Sequence, residues 1–327
     1  GTTLSLEYAE RNFLGRGQRV SLNLALGETA QSISFSFTEP WFLGREVAAG
    51  ANLFYAREDS DSLSYDLEEV GGGVSLGYKL SERWSQSWSY SLKQTEVLDI
   101  TSTSPALLDQ AGKTLRSTLA TSLRYNSLDS NAQPTEGVLF RTSLSSAGGL
   151  IGGDVDWISA TTSASYYRPL GEAFVLRLKA QAGHIHSTND DPVPIVDRFT
   201  LGTNLVRGFQ ATGIAPRTVG NSAIGGTTYY GLSAEVRFPF PGLADSGVSG
   251  RVFLDSGSVF DEGSDFMLDY GGGPTLILDD NTLRSSYGAG ITWVSPVGPI
   301  RLDWGVPLTS AEFDRTRRFS FNFGVDI

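Results

Sequence analysis

The chain contains no cysteine, a single methionine and two histidines among its 327 residues. A disulfide framework and a thiolate metal site are therefore excluded. Charge is also scarce: charged residues make up 19% of the chain, the formal net charge is −11, and no lysine- or arginine-rich block occurs. That balance argues against a nucleic-acid partner. No run of about 18 apolar residues exists, so no helix can cross a membrane. The N-terminus lacks a basic segment followed by an apolar one, which leads us to expect a mature or trimmed form of an exported chain.

What the chain does have is aromatic residues at 11%, 38 glycines and nearly unbroken period-two alternation. "SLNLAL" (21–26) sets Leu22, Leu24 and Leu26 against Ser21, Asn23 and Ala25, and "QSISFSF" (31–37) sets Ile33, Phe35 and Phe37 against polar residues. "IRLDWGV" (300–306) and "RFSFNFGVDI" (318–327) repeat the pattern, the latter with Phe319, Phe321, Phe323, Val325 and Ile327 on one face. Each strand thus has one apolar and one polar face. A soluble sandwich alternates too, with its apolar face inward. Segments of roughly ten residues favour the inverse, a membrane barrel. Aromatics near strand ends point the same way, as an interfacial girdle of Trp41, Phe42, Trp84, Trp88, Tyr166, Tyr167, Tyr229 and Tyr230.

The fold class is all-β, a transmembrane antiparallel β-barrel forming one domain over residues 1–327. The alternation predicts fifteen strands, near 2–9, 18–26, 31–38, 46–57, 70–80, 85–97, 113–125, 137–147, 155–169, 172–186, 227–238, 248–259, 282–294, 299–308 and 317–327. Connections 58–69, 98–112, 187–226 and 260–281 are long, whereas those after odd strands are mostly tight, as in "SER" (81–83), "PLG" (169–171) and "SPVG" (295–298). Outer-membrane barrels keep short turns on the periplasmic side, so the last strand is expected to end there and residue 1 to lie at the outer surface. Because bacterial single-chain barrels have even strand numbers, one strand before Gly1 is expected to be absent, from an intact barrel of sixteen. Soluble domains attached upstream would be periplasmic.

Within connection 187–226 lies "LVRGFQ" (205–210). It resembles the Val-Arg-Gly-Phe/Tyr signature of BamA and its relatives, the outer-membrane β-barrel assembly and polypeptide-transport proteins. "RNFLGRGQRVSLNL" (11–24), "SFTEPWFLGR" (36–45), "SPVGPIRLDWGVPL" (295–308) and "RRFSFNFGVDI" (317–327) resemble other stretches of that family in the same order, most closely its α-proteobacterial members. The resemblance covers the whole chain. It implies that the loop folds back into the barrel and that Arg207, with Val206, Gly208 and Phe209 around it, contacts acidic partners on the wall. The strand phases supply candidates: Tyr230, Leu232, Ala234 and Val236 point outward, so Glu235 points inward; Val248, Val252 and Leu254 point outward, so Asp255 points inward. A guanidinium is a planar fork of donors suited to carboxylates. Gly208 would let the tip turn, and Phe209 would pack on apolar groups.

The resemblance further implies assembly of barrel proteins without covalent chemistry. In the family, first and last strands meet at a weak lateral seam, and an incoming strand pairs with the edge it exposes. The seam strand here would be 317–327, with Phe319, Phe321, Phe323, Gly324 and Ile327 on it; Gly324 would weaken its packing. Ile327 departs from the family's usual aromatic end. Unfolded outer-membrane barrel proteins, outer-membrane lipids and accessory lipoproteins are the implied partners. A two-partner-type polypeptide secretion pore, a TamA-like assembly factor and a passive porin are the rivals.

Other signals carry little. "GVSLG" (73–77) spells a nucleophile elbow, but inside an alternating strand. "AGKT" (111–114) lacks the earlier glycine and following helix of a phosphate loop. His184 and His186 share a face but have no nearby carboxylate, and Asp59–Asp61, Asp190–Asp191 and Asp279–Asp280 read as solvated loop acids. No catalytic constellation, metal site or cofactor is expected.

Overall fold

The computed structural model describes residues 3–60, 64–240, 247–295 and 298–323. In it the alternating segments form one antiparallel sheet of fifteen strands. The first eight are β1 (Thr3–Phe13), β2 (Gln18–Gly27), β3 (Ala30–Glu39), β4 (Val47–Ser60), β5 (Tyr65–Lys79), β6 (Trp84–Leu98), β7 (Gly112–Asn126) and β8 (Gly137–Ala147). They are followed by β9 (Trp157–Leu170), β10 (Phe174–Ser187), β11 (Thr228–Pro239), β12 (Val248–Phe260), β13 (Arg284–Ser295), β14 (Gly298–Thr309) and β15 (Phe319–Phe323). Every strand pairs with its neighbours in chain order, even where the longest connection separates β10 from β11.

Pairing places like faces together. Leu4, Leu6 and Tyr8 of β1, Ile33 and Phe35 of β3, Tyr287, Ile291 and Trp293 of β13, and Leu302 and Trp304 of β14 are all exposed. Between them, Glu235, Arg251, Asp255, Ser286 and Asp303 are buried. Apolar outside and polar inside is the pattern lipid selects, because the bilayer is itself apolar and the lumen is where water and fixed charge can sit. The sheet curls on itself: Ala106 and Leu107, between β6 and β7, share a buried cluster with Tyr65, Ile195, Ile224, Leu268 and Ile277. The amide of Ala106 donates to Thr275 Oγ1 at 3.1 Å, and Arg237 of β11 donates to the Pro134 carbonyl, between β7 and β8, at 3.0 Å. Long connections thus close over one end of the barrel as a packed cap.

The structure corrects several expectations. Connection 58–69 is mostly strand, since the β4–β5 ladder continues to Ser60↔Tyr65. Outside the membrane both faces can be polar, so alternation fades while backbone pairing persists; Arg57 there reaches Asp59 at 3.3 Å and Glu68 at 3.8 Å. Connection 260–281 contains a hairpin, Phe266–Leu268 against Thr275–Leu278. The girdle is smaller than expected. Trp41, Phe42, Trp88, Tyr166 and Tyr230 are exposed, but Tyr167 lines the lumen and Tyr229 packs on Phe199 at 4.7 Å. Adjacent residues of a strand face opposite ways, so only one of each Tyr-Tyr pair can reach lipid. Trp84 is half-buried against Tyr125, with ring centroids 5.0 Å apart. Segment 317–327 is divided: Thr316–Arg317 pairs away from the main sheet, and β15 alone joins β14. Phe319 and Phe321 are exposed, and Phe323 stands opposite Ile300 in the register. Gly324 and Ile327 lie outside the described residues.

Candidate functional site

Residues 188–227 connect β10 to β11 and turn into the barrel rather than away from it. The reason is apolar content: Leu201, Leu205, Val206, Phe209 and Ile214 are buried together with Val259 of β12, and Phe199 and Tyr229 pack against them. A single helical turn forms as the Leu205 and Val206 amides donate to the Gly202 carbonyl at 3.0 and 2.8 Å. That turn delivers Arg207 to the inner wall.

There Arg207 spends its whole fork. Nε donates to Asp255 Oδ2 at 2.7 Å, Nη2 to Asp255 Oδ1 at 2.8 Å and to Ser233 Oγ at 3.2 Å, and Nη1 to Glu235 Oε2 at 2.6 Å. Its amide also donates to Asp255 Oδ2 at 3.1 Å, while the guanidinium carbon sits 3.4 Å from the Phe253 ring centroid. Ser233 Oγ donates to Asp255 Oδ1 at 2.7 Å. Asp255 is fully buried. Burial alone would lower the Arg207 pKa, but Asp255 and Glu235 outweigh it and raise the pKa above its ordinary value. The guanidinium therefore stays charged at any physiological pH. Desolvation offsets much of the attraction, so such a cluster fixes geometry more than it adds to stability.

Close approach depends on glycines in the wall. A Cβ on Gly305 of β14 would stand 2.6 Å from the Gly208 nitrogen and 2.8 Å from the Arg207 carbonyl carbon, and one on Gly257 of β12 would stand 3.1 Å from Val206 Cγ2. Gly208 itself has φ +98°, a conformation that L side chains rarely adopt. Immediately beyond it, Gly208 and Phe209 pair with Arg317 and Thr316, and the Gln210 amide donates to the Arg315 carbonyl at 3.0 Å. The loop tip is thus joined by backbone to the segment that leads into β15. Further pairs fix the rest: Arg116 of β7 with Asp197, and Arg198 with Asp261, each at 2.5 Å.

The structure brings Val206, Arg207, Gly208, Phe209, Glu235 and Asp255 into one site. Sequence reading missed Ser233 and Phe253, although each shares the inward phase of its neighbour two residues on. It also missed Gly305 and the 315–317 contact, for which periodicity holds no signal. His184 and His186 stack on the outer face with centroids 6.4 Å apart, and His184 Nδ1 is 2.9 Å from Thr228 Oγ1. Among the described residues no group of three or more His, Cys, Asp or Glu side chains is placed to hold a metal. "GVSLG" lies inside β5, and Gly112 of "AGKT" opens β7.

The chain is similar in sequence and in fold to several known proteins. Outer membrane protein assembly factor BamA of Neorickettsia risticii is 28% identical over 321 residues, covering 97% of this chain and 42% of the relative. BamA of Neisseria meningitidis is 27% identical, covering 99% and 45%. The mouse sorting and assembly machinery component 50 homolog is 28% identical, covering 93% and 65%. The chain therefore spans less than half the length of these bacterial relatives. In fold it is similar to the crystal structure of BamA from Haemophilus ducreyi lacking POTRA domains 1-3, with TM-score 0.83, 22% identity and coverage of 98% of this chain and 66% of that one. CdiB from Acinetobacter baumannii is less similar, with TM-score 0.60 and 14% identity, covering 98% and 56%. Residues 12–327 match the Omp85 superfamily domain; the chain belongs to the Omp85 superfamily and is an outer-membrane β-barrel of it.

Proposed function

We propose that this barrel assembles other β-barrel proteins into the outer membrane, presenting a lateral edge at β15 to an incoming strand. The observation that carries this reading is the tie between the Arg207 loop tip and the entry to β15, because it couples the lumenal lock to the sheet's last strand. Among the described residues β15 pairs with β14 only from Phe319 to Phe323. Unpaired backbone is costly in lipid, so an edge of this kind gains free energy from any strand that completes it. A client strand supplies those hydrogen bonds by β-augmentation. No covalent bond is made or broken, and no cofactor enters. The names of the relatives support this role, as do the partners expected of it: unfolded barrel proteins, outer-membrane lipids and accessory lipoproteins. Periplasmic domains upstream and a sixteenth strand belong to the same proposal.

The test uses the full-length protein in liposomes beside an Arg207→Ala variant, with a denatured barrel protein added as client. Faster client folding with the parent, and a weak effect with the variant, is the expected result. Passage of an unfolded chain or of ions without any acceleration would instead favour a secretion pore or a porin.

A further inference from the structure

Toward the short-turn end of the barrel the inner wall encloses a second feature, a cavity of about 450 Å³. Arg177, Arg237, Arg251 and Arg301 line it, against Glu172 and Glu235. That excess of cations stands out in a chain of net charge −11. Two of the charges are already matched: Asp303 holds Arg251 through Nε and Nη2, both at 2.8 Å, and Arg207 holds Glu235 at 2.6 Å. Arg177 and Arg237 differ. Among the described residues neither has a carboxylate within ion-pair distance. Arg237 gives one Nη2 hydrogen bond, to the Pro134 carbonyl, and Arg177 lies 5.8 Å from the Tyr167 ring centroid with its buried Nε lacking an acceptor.

Register sharpens the point. Arg237 stands directly opposite Arg251, and Arg177 pairs with Glu235, which puts Arg177 and Arg237 diagonally across β10 and β11. Like charges facing one another across a ladder destabilise it, and a buried donor without an acceptor does so too. One oxyanion between Arg177 and Arg237 relieves both costs and meets planar donor forks suited to it. The remaining wall includes Leu128, Leu139 and Val175, apolar surface that a bare inorganic ion would leave uncovered. A carboxylate carried on a methylene stem covers it.

We propose that this chamber binds carboxylate side chains of an acidic peptide segment, with Arg177 and Arg237 as the gripping pair. The site is distinct from the loop lock but shares Glu235 with it, so an occupant lies across that residue from Arg207. The proposal does not depend on the assembly role.

Fluorescence anisotropy of a labelled hexaglutamate peptide, titrated with the full-length protein in detergent micelles at low salt, tests it. The peptide should bind, and a hexaglutamine peptide should not. Combining Arg177→Gln with Arg237→Gln should weaken binding about tenfold or more. Arg19 and Lys79 supply the control: they are exposed and line a separate recess of about 790 Å³. Changing both to Gln removes the same lumenal charge and should leave binding within about twofold. Equal losses from the two double variants would reduce the effect to a diffuse field and overturn the site, as would undiminished binding after loss of Arg177 and Arg237. Displacement of the peptide by inorganic phosphate at equal charge would overturn the peptide assignment. Heat-modifiable gel mobility verifies folding, and a double variant that fails it is replaced by Arg237→Gln alone, for which unchanged binding is again the overturning result.

Discussion

Arg207 is bound by geometry as much as by charge, and two substitutions separate these contributions. Arg207→Ala leaves Asp255 and Glu235 buried without their cation, a loss on the order of 3–5 kcal/mol for a broken buried pair. Arg207→Lys keeps the charge but cannot span Asp255 and Glu235 with one planar fork. Both should speed amide hydrogen exchange over residues 199–215, with Lys recovering less than half of the protection. Full protection in the Lys variant would show that charge alone suffices. Gly305→Ala leaves Arg207 in place but sets a methyl 2.6 Å from the Gly208 nitrogen, which is backbone and cannot swing aside. The tip must move, so the same exchange signature should appear with every charge intact. Asp129 provides a pH probe outside the lock, in the turn between β7 and β8. It accepts hydrogen bonds from the Thr135 amide at 2.9 Å, the Thr135 hydroxyl at 2.5 Å and the Glu136 amide at 3.1 Å. Those bonds, the Thr135 hydroxyl first, lower its pKa from 3.8 to about 2. A depressed carboxylate stabilises above its unfolded pKa and stops doing so as pH falls through the folded one. The turn should therefore lose order between about pH 4 and pH 2, and Asp129→Asn should abolish that dependence; proton-resolved spectra of the turn amides would report it.

Among the elements, β15 and the loop tip carry the most consequence, because they are joined. Thr316–Arg317 pairs with Gly208–Phe209 before the chain enters β15, so the lock and the last strand are joined through a few residues. The lipid-facing phase of β15 is open to a clean test, since the chain has no cysteine to mask. Phe321→Cys should react with a membrane-soluble maleimide, and Ser320→Cys should be protected from it, given that Phe321 is 60% and Ser320 8% exposed. Reversed labelling would mean a one-residue slip, which turns every side chain of a strand to the other face. Strand positions were legible from alternation because the bilayer imposes it. Where the strands leave the bilayer, as in the extended β4–β5 hairpin, that constraint lapses and their ends could not be read.

For the molecule as a whole, the sheet is a container and the long connections are its contents. The buried apolar clusters draw on the loop residues Ala106, Leu107, Ile195, Leu205 and Phe209, together with inward strand residues such as Tyr65 and Val259. Function on the proposed reading depends on both parts: a lipid-facing sheet that ends at β15, and an interior loop that grips the wall near that end. The basic chamber beside the lock, toward the short-turn end, adds a polarity to the interior that the net charge of −11 conceals.

By itself the sequence determined the fold class, most strand positions and the inward phase of Glu235 and Asp255, and its resemblance to a known family pointed to the arginine between them. Alternation and a short local motif encode all of these, and neither needs distant parts of the chain. Tertiary structure alone decided that Gly305 makes room for Gly208, that residues 315–317 dock on the loop tip, and that Arg177 and Arg237 share one chamber. Each of those depends on which segments the curled sheet and its connections bring face to face, and such proximity has no period along the chain.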